Sequence, residues 1–262
     1  MNISSELIIL AQKCSWLKKF FYFEQLESTN LHILELRNYY KEIPIGLVAA
    51  EQTAGKGRLS NTWLSPRGNI YFSFIVPLSH IPKNLSLLSM LPAVAIINAL
   101  EKLGAESFIK WPNDILIKNI TNNSVKYFLN YKKIGGILVQ TYNENNLINH
   151  AVIGIGININ KNIDIQNSIS HAGFLDELIN VDYFTILSEI IFEIDKLFSN
   201  LNDNYIYDNY AKKCVTVNNS VVFKISNKEY IGKALGIKKS GALLVEFEDS
   251  VLEINADEVH LC

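Results

Sequence analysis

Hydrophobic and polar positions follow two periods along this chain, one helical and one alternating. Residues 3–13 read as a helix, and residues 19–26, KFFYFEQL, form an aromatic-rich run that reads as a strand. Ser28 or Thr29 caps a second helix that runs to about Arg37. Residues 46–51 make a short apolar strand, residues 53–66 a polar loop, and residues 69–76, NIYFSFIV, a strongly β-prone run. A long helix over 84–103 ends at Gly104, placed as its C-cap. Residues 108–117, FIKWPNDILI, are extended with a polar interruption at the centre. Residues 119–131 are Asn-rich without apolar period and read as an inserted loop. Two apolar strands, 134–142 and 147–159, flank the polar turn NENN. Residues 182–200 return to helical period, and a shorter helix continues to about Ala211.

From Val215 the pattern changes to short alternating strands with turns at NN, NK, KSG and ED. That spacing predicts a small barrel of about 50 residues. The boundary falls near 212–215.

Composition narrows the class. Of 262 residues, 48% are hydrophobic and 19% charged, enough for a packed core and too apolar for a disordered chain. The formal net charge of −2 argues against a nucleic-acid binder. Cys14, Cys214 and Cys262 lie far apart with no CxxC, so neither a zinc site nor a disulfide framework is indicated. A sparse, odd cysteine count fits a reducing cytosol, and no targeting segment is visible, so the expected compartment is cytoplasmic. The apolar region 85–103 is broken by Ser89, Pro92 and Asn98 and reads as a buried helix, not a membrane span. The scattered histidines, His32, His80, His150, His171 and His260, read as surface or capping residues.

Candidate chemistry sits in the polar interruptions. Gly55-Lys56-Gly57-Arg58 combines backbone that can approach an anion with two cations. It is not a P-loop, because Ala50 and Gly57 occupy positions that need Gly and Ser/Thr. It is not a dinucleotide fingerprint, because Ser60 stands where the third glycine belongs. Lys110-Trp111-Pro112-Asn113-Asp114 fits either turn chemistry or a seat for hydrated Mg²⁺ near phosphates. Lys133 precedes the strand glycines Gly135-Gly136, which weaken a strand unless something packs against its backbone. In residues 153–160, alternation puts Gly154, Gly156, Asn158 and Asn160 on one face and isoleucines on the other. The glycine face reads as an open floor for a flat ligand, ending in two amides able to read a heterocycle.

In this order the pieces resemble the biotin protein ligase family. The matching segments are Ser28-Thr29-Asn30, Gln52 through Arg58 with Trp63, the KWPND segment, Lys133 with Gly135-Gly136-Ile137-Leu138, and Gly154 through Asn158, over roughly residues 20–262. The resemblance implies an α+β fold: a mixed β-sheet catalytic domain of the class II synthetase, biotin/lipoate ligase type (residues 1–212), and a small C-terminal SH3-like β-barrel (213–262). It implies activation of biotin with ATP to biotinyl-5'-AMP, with Mg²⁺, and transfer to a lysine of a biotin carboxyl carrier domain of a biotin-dependent carboxylase.

Carried over residue by residue, Ser28, Thr29, Asn30, Gln52 and Gly136 line the biotin pocket. Lys56, Gly57 and Arg58 close over the biotin carboxylate and the adenylate phosphate. Lys133 contacts the reacting groups, and Trp63, Lys110, Asn113 and Asn158 serve ATP. Asp114 is a candidate proton acceptor from the carrier lysine. Lys133 is chosen over Lys132 for its spacing to the glycine pair. The family loop continues with more glycine and arginine, whereas Lys56 and Leu59-Ser60-Asn61 stand here, so retention of the adenylate is expected to differ. About 18 residues precede the first strand, well short of a domain, so a ligase without a repressor domain is expected. A homodimer through the catalytic sheet is compatible with the family pattern. A lipoate protein ligase and a non-catalytic biotin or nucleotide sensor are the rival readings.

Overall fold

The computed structural model describes residues 3–40, 43–59, 61–119, 130–144, 147–225, 228–255 and 259–261. Helix α1 (Ile3–Lys13) leads into strand β1 (Lys19–Phe23). Helix α2 (Thr29–Arg37) then carries the chain to β2 (Ile45–Ala49), which pairs parallel to β1. A crossover helix is what a parallel pair requires. Strand β3 (Ile70–Pro77) turns back antiparallel to β2, and α3 (Leu87–Lys102) follows. The extended run around KWPND is a hairpin of β4 (Ser107–Lys110) and β5 (Asp114–Lys118), its turn made by residues 111–113 with a cis Trp111–Pro112 bond. Strands β6 (Tyr131–Glu144) and β7 (Leu147–Ile157) complete a seven-stranded sheet in the order β1-β2-β3-β7-β6-β5-β4. The sheet is mixed: β1–β2 is parallel and the other pairs are antiparallel.

The pleat decides which face of this sheet is core. Phe72, Phe74, Ile153, Ile155 and Ile157 share one cluster with α3 and with α5 (Tyr183–Ser199). On the opposite face, Ile33 of α2 packs on Ile45, Leu47, Ile75 and Val152. Because α2 covers only that end, the part of the face carrying Gly136, Gly154 and Gly156 is left for a cavity. The register places these residues side by side.

Helices α4 (Ile163–Ser168), α5 and α6 (Asp203–Lys213) connect to the tail. Asn162 caps α4, a helix the apolar pattern does not announce because it is only six residues long. The tail forms β8 (Ser220–Ile225), β9 (Lys228–Ile237), β10 (Leu243–Phe247), β11 (Ser250–Ile254) and β12 (Val259–Leu261). They make an antiparallel sheet in the order β11-β10-β9-β8-β12, packed around Val221, Phe223, Ala234, Leu243 and Val245. No β11–β12 pairing closes this sheet into a barrel among the described residues.

Several expectations shift. Ser28 is the N-cap of α2 but its side chain makes no capping bond. Pro92 sits inside α3 without ending it, buried against the core. Strand β6 starts at Tyr131 and therefore contains both lysines of the pair. Most of the Asn-rich insert, residues 120–129, lies outside the described residues, as does part of the NENN turn. His150 is not a surface residue: it is buried and stacked face to face on Tyr142. Among the described residues, no helix is long and apolar enough to cross a membrane.

Candidate active site

One cavity of about 560 Å³ opens over the glycine floor of the sheet. That is within the range of small-molecule sites. Of the residues proposed from the sequence, Ser28, Thr29, Asn30, Gln52, Lys56, Gly57, Arg58, Trp63, Lys110, Asn113, Asp114, Lys133, Gly136 and Asn158 lie on its wall.

The glycine–basic loop is folded, not open. Trp63 N–H donates to the Gly55 carbonyl (2.9 Å) and Gly57 N–H to the Asn61 carbonyl (2.7 Å), with a further bridge between Lys56 and Thr62. The result is a narrow hairpin with Arg58 and Leu59 at its tip, Leu59 at a left-handed φ of 51°. Glycine is needed at 55, where a Cβ would run into the Trp63 carbonyl. Arg58 Nη1 donates to Asn113 Oδ1 at 3.1 Å, joining the hairpin to the KWPND turn.

Asn113 is fixed by three hydrogen bonds. Its Nδ2 donates to the Ile137 carbonyl (2.7 Å), its carbonyl accepts from Ile137 N–H (3.0 Å), and its Oδ1 receives Arg58. From outside the sheet, Trp111 Nε1 donates to the Gly241 carbonyl (2.9 Å) and Tyr210 donates to the Pro112 carbonyl (2.7 Å). The turn is therefore held by β6, by α6 and by the C-terminal sheet.

Charge gathers at one wall. Lys133 Nζ lies 2.6 Å from Asp114 Oδ1 and 5.4 Å from the centroid of the Trp63 ring, and Lys110 Nζ lies 3.8 Å from Asp114 Oδ2. Lys132 turns away to Glu177 at 2.5 Å and is not on the cavity wall. Among the described residues no group of three or more His, Cys, Asp or Glu could hold a metal ion. Asp114, as one carboxylate beside a cavity, fits a Mg²⁺ brought in by phosphates, since that ion takes one or two carboxylates and keeps its other ligands from phosphate and water.

Two buried polar atoms on this wall lack a partner, the Trp63 Nε1 donor and the Asn158 Oδ1 acceptor. Asn158 Nδ2 reaches the Gly173 carbonyl at 3.3 Å, which fixes the amide. Orphaned buried groups are costly unless a ligand meets them. The second amide does not join: Asn160 donates to the Gly68 carbonyl and lies off the cavity wall. The floor is also less open than the alternation suggests. A Cβ at Gly154 would overlap Asn30 Oδ1, and one at Gly156 would overlap the Trp63 indole. The glycines make room first for two side chains of the site.

Sequence reasoning missed Ile169, His171 and Ala172, which also line the cavity. The parallel bridge Lys133–Ala172 and the bond from Lys133 N–H to the His171 carbonyl (2.8 Å) bring them there. No local motif marks them. Partial desolvation, then Lys110 and Lys133, lower the His171 pKa, with Asp114 pulling the other way. The ring is therefore a neutral group among the charges at neutral pH.

The cavity thus combines a glycine floor on a mixed sheet, a basic hairpin and a cationic wall. The chain belongs to the Biotin/lipoate A/B protein ligase family, whose model matches residues 22–158. Among its relatives is the bifunctional ligase/repressor BirA of Bacillus subtilis, 30% identical over 260 residues, covering 92% of this chain and 73% of the relative. The Escherichia coli BirA is 30% identical over 236 residues, covering 87% and 69% respectively. The biotin protein ligase of Aquifex aeolicus in complex with biotin and ATP superimposes with a TM-score of 0.72 at 25% identity, covering 94% of this chain and 99% of that one.

Proposed function

We propose that this protein is a biotin protein ligase, which joins biotin to ATP as biotinyl-5'-AMP and passes biotin to a lysine of a carrier protein. The observation that carries this reading is the convergence of Lys133, the basic hairpin and the KWPND turn on one cavity.

A carboxylate is a poor electrophile, so the first step makes it one. A biotin carboxylate oxygen attacks the α-phosphorus, and the bond to pyrophosphate breaks. Lys133, Lys56 and Arg58 offset the charge that builds on the phosphate oxygens. In the second step the neutral amine of the carrier lysine attacks the acyl carbon, AMP leaves with the bonding pair, and the amine loses a proton. In this reading Asp114, which pairs with Lys133 at 2.6 Å, takes that proton once a phosphate draws Lys133 away from it. Mg²⁺ supplies further charge neutralisation when carried in on the phosphates, beside Asn113 and Asp114.

Ser28, Thr29, Asn30, Gln52 and Gly136 form the biotin end of the cavity. Trp63, Lys110, Asn113 and Asn158 form the ATP end, where the orphaned Asn158 acceptor suits the exocyclic amine of adenine. The proposed division into residues 1–212 and 213–262 falls one residue before the end of α6 at Lys213.

The acceptor is the biotin carboxyl carrier domain of a biotin-dependent carboxylase. A net charge of −2 supports a protein that does not engage nucleic acid, and the cytoplasm is the proposed compartment. A homodimer through the seven-stranded sheet is compatible with this reading. ATP–pyrophosphate exchange tests the proposal: biotin should stimulate it and lipoate should not. Stimulation by lipoate alone would replace the reading with lipoate ligation.

A further inference from the structure

Beneath the biotin end of the cavity runs a chain of polar side chains from the basic hairpin to β6. Ser65 Oγ donates to the Trp63 carbonyl (2.8 Å), which spends its only proton. Ser65 therefore accepts from Gln52 Nε2 (2.9 Å), and Gln52 Oε1 faces Thr29, where it accepts the Thr29 N–H at 2.8 Å. Because a backbone N–H can only donate, this end of the chain has one direction.

At the other end Gln140 Oε1 accepts from Asn30 Nδ2 at 2.8 Å, which turns Asn30 Oδ1 toward Ser73. Ser73 Oγ lies 2.6 Å from that oxygen and 2.7 Å from Thr29 Oγ1. A serine has one proton, and an amide oxygen has none to give, so the Ser73 proton goes to Asn30. The 2.7 Å contact then needs the Thr29 proton. The Thr29 oxygen also lies 3.0 Å from Gln52 Oε1, which is another acceptor. On either route the Thr29 proton is consumed inside the chain. Its lone pairs are what remain for a ligand.

We propose that Gln140 is a positioning residue for ligand choice: by accepting from Asn30 it sets the direction of hydrogen bonding through Ser73, so that Thr29 offers an acceptor to an N–H-bearing ligand. This rests on the biotin reading, since the ureido ring carries two N–H groups and the dithiolane of lipoate carries none. With the Gln140 amide reversed, Asn30 Nδ2 would face Ser73, Ser73 would donate to Thr29, and one of those lone pairs would be occupied. Gln140 itself lies on β6 opposite Val152, on the same face as Gly136 and Leu138.

The test compares Gln140→Met and Gln140→Leu, which remove the acceptor, with Gln140→Glu, which can only accept. Biotin-dependent pyrophosphate exchange is measured with biotin and ATP varied separately. Gln140→Met or Gln140→Leu should raise the KM for biotin on the order of tenfold, the scale of one lost hydrogen bond, with kcat and the KM for ATP within about twofold. Gln140→Glu should hold the biotin KM near the unsubstituted value. Two results would overturn the proposal: an unchanged biotin KM in folded Gln140→Met or Gln140→Leu protein, or a loss in Gln140→Glu equal to theirs. Absence of biotin-stimulated exchange in the unsubstituted chain would overturn the ligase reading itself.

Discussion

Lys133→Met removes one charge while keeping an unbranched stem beside Trp63. A unit charge about 4 Å from a phosphate oxygen contributes about 4 kcal/mol at an effective dielectric near 20. Part of that is already spent, because Asp114 holds the amine at 2.6 Å and must release it as the phosphate binds. A net loss of about 3–4 kcal/mol in the transition state corresponds to adenylate formation slower by on the order of 10²–10³. Stability should change little. Asp114 keeps Lys110 at 3.8 Å, so its carboxylate is not left without a cation. Rapid-quench measurement of biotinyl-AMP in a single turnover reads the chemical step directly, with thermal unfolding as the control for folding. Lys132→Met is the internal comparison, since that side chain is committed to Glu177 away from the cavity. Adenylation by Lys133→Met within about threefold of the unsubstituted protein would refute this reasoning, as would an equal loss in Lys132→Met.

Arg58→Gly cuts the bond that ties the basic hairpin to Asn113, so free adenylate should escape faster and unrelated lysines should become labelled; unchanged adenylate retention in a filter-binding chase would count against a closing role for the hairpin. Gly156→Ala puts a methyl group into the Trp63 indole and should raise the KM for ATP about tenfold, with altered tryptophan fluorescence. Gly136→Ala, whose Cβ would come no nearer than 3.4 Å to Trp63, should perturb the indole less. His150 supplies a pH effect. Burial, then the charge of Arg37, lower its pKa from 6.5 to about 4. The unfolded chain thus takes up a proton near pH 6.5 that the folded chain refuses until about pH 4. The contribution to stability is intact above pH 6.5 and is lost as the pH falls through that window, by roughly 3 kcal/mol. Urea unfolding at pH 7 and pH 4.5 should show this loss, and His150→Phe, which keeps a ring against Tyr142, should show that much less of it.

Much of this protein is determined by the sequence alone. The β-prone runs read at 69–76 and 147–159, the apolar length of α3 with Gly104 behind it, and the switch to short alternating strands after Val215 follow from side-chain period and glycine chemistry, which act over a few residues. The cavity-lining residues were legible because glycine, lysine and Asn-Asp pairs interrupt strands that packing alone would have filled with apolar side chains. What only the tertiary structure decided depends on which strands lie side by side. Strand β3 sits next to β7, more than seventy residues away in the chain, and that register sets Ser73 beside Gly154 and places Asn30 above both. Asn158 lines the cavity while Asn160 bonds to Gly68, because β7 ends at Ile157 and the alternation does not extend to either amide. His171 reaches the cavity through its backbone neighbours and not through any motif of its own. Periodicity says which way a side chain points from its own strand. It carries no information on what the neighbouring strand presents there, because that pairing is settled by the burial of the whole sheet between α2 on one face and α3 and α5 on the other.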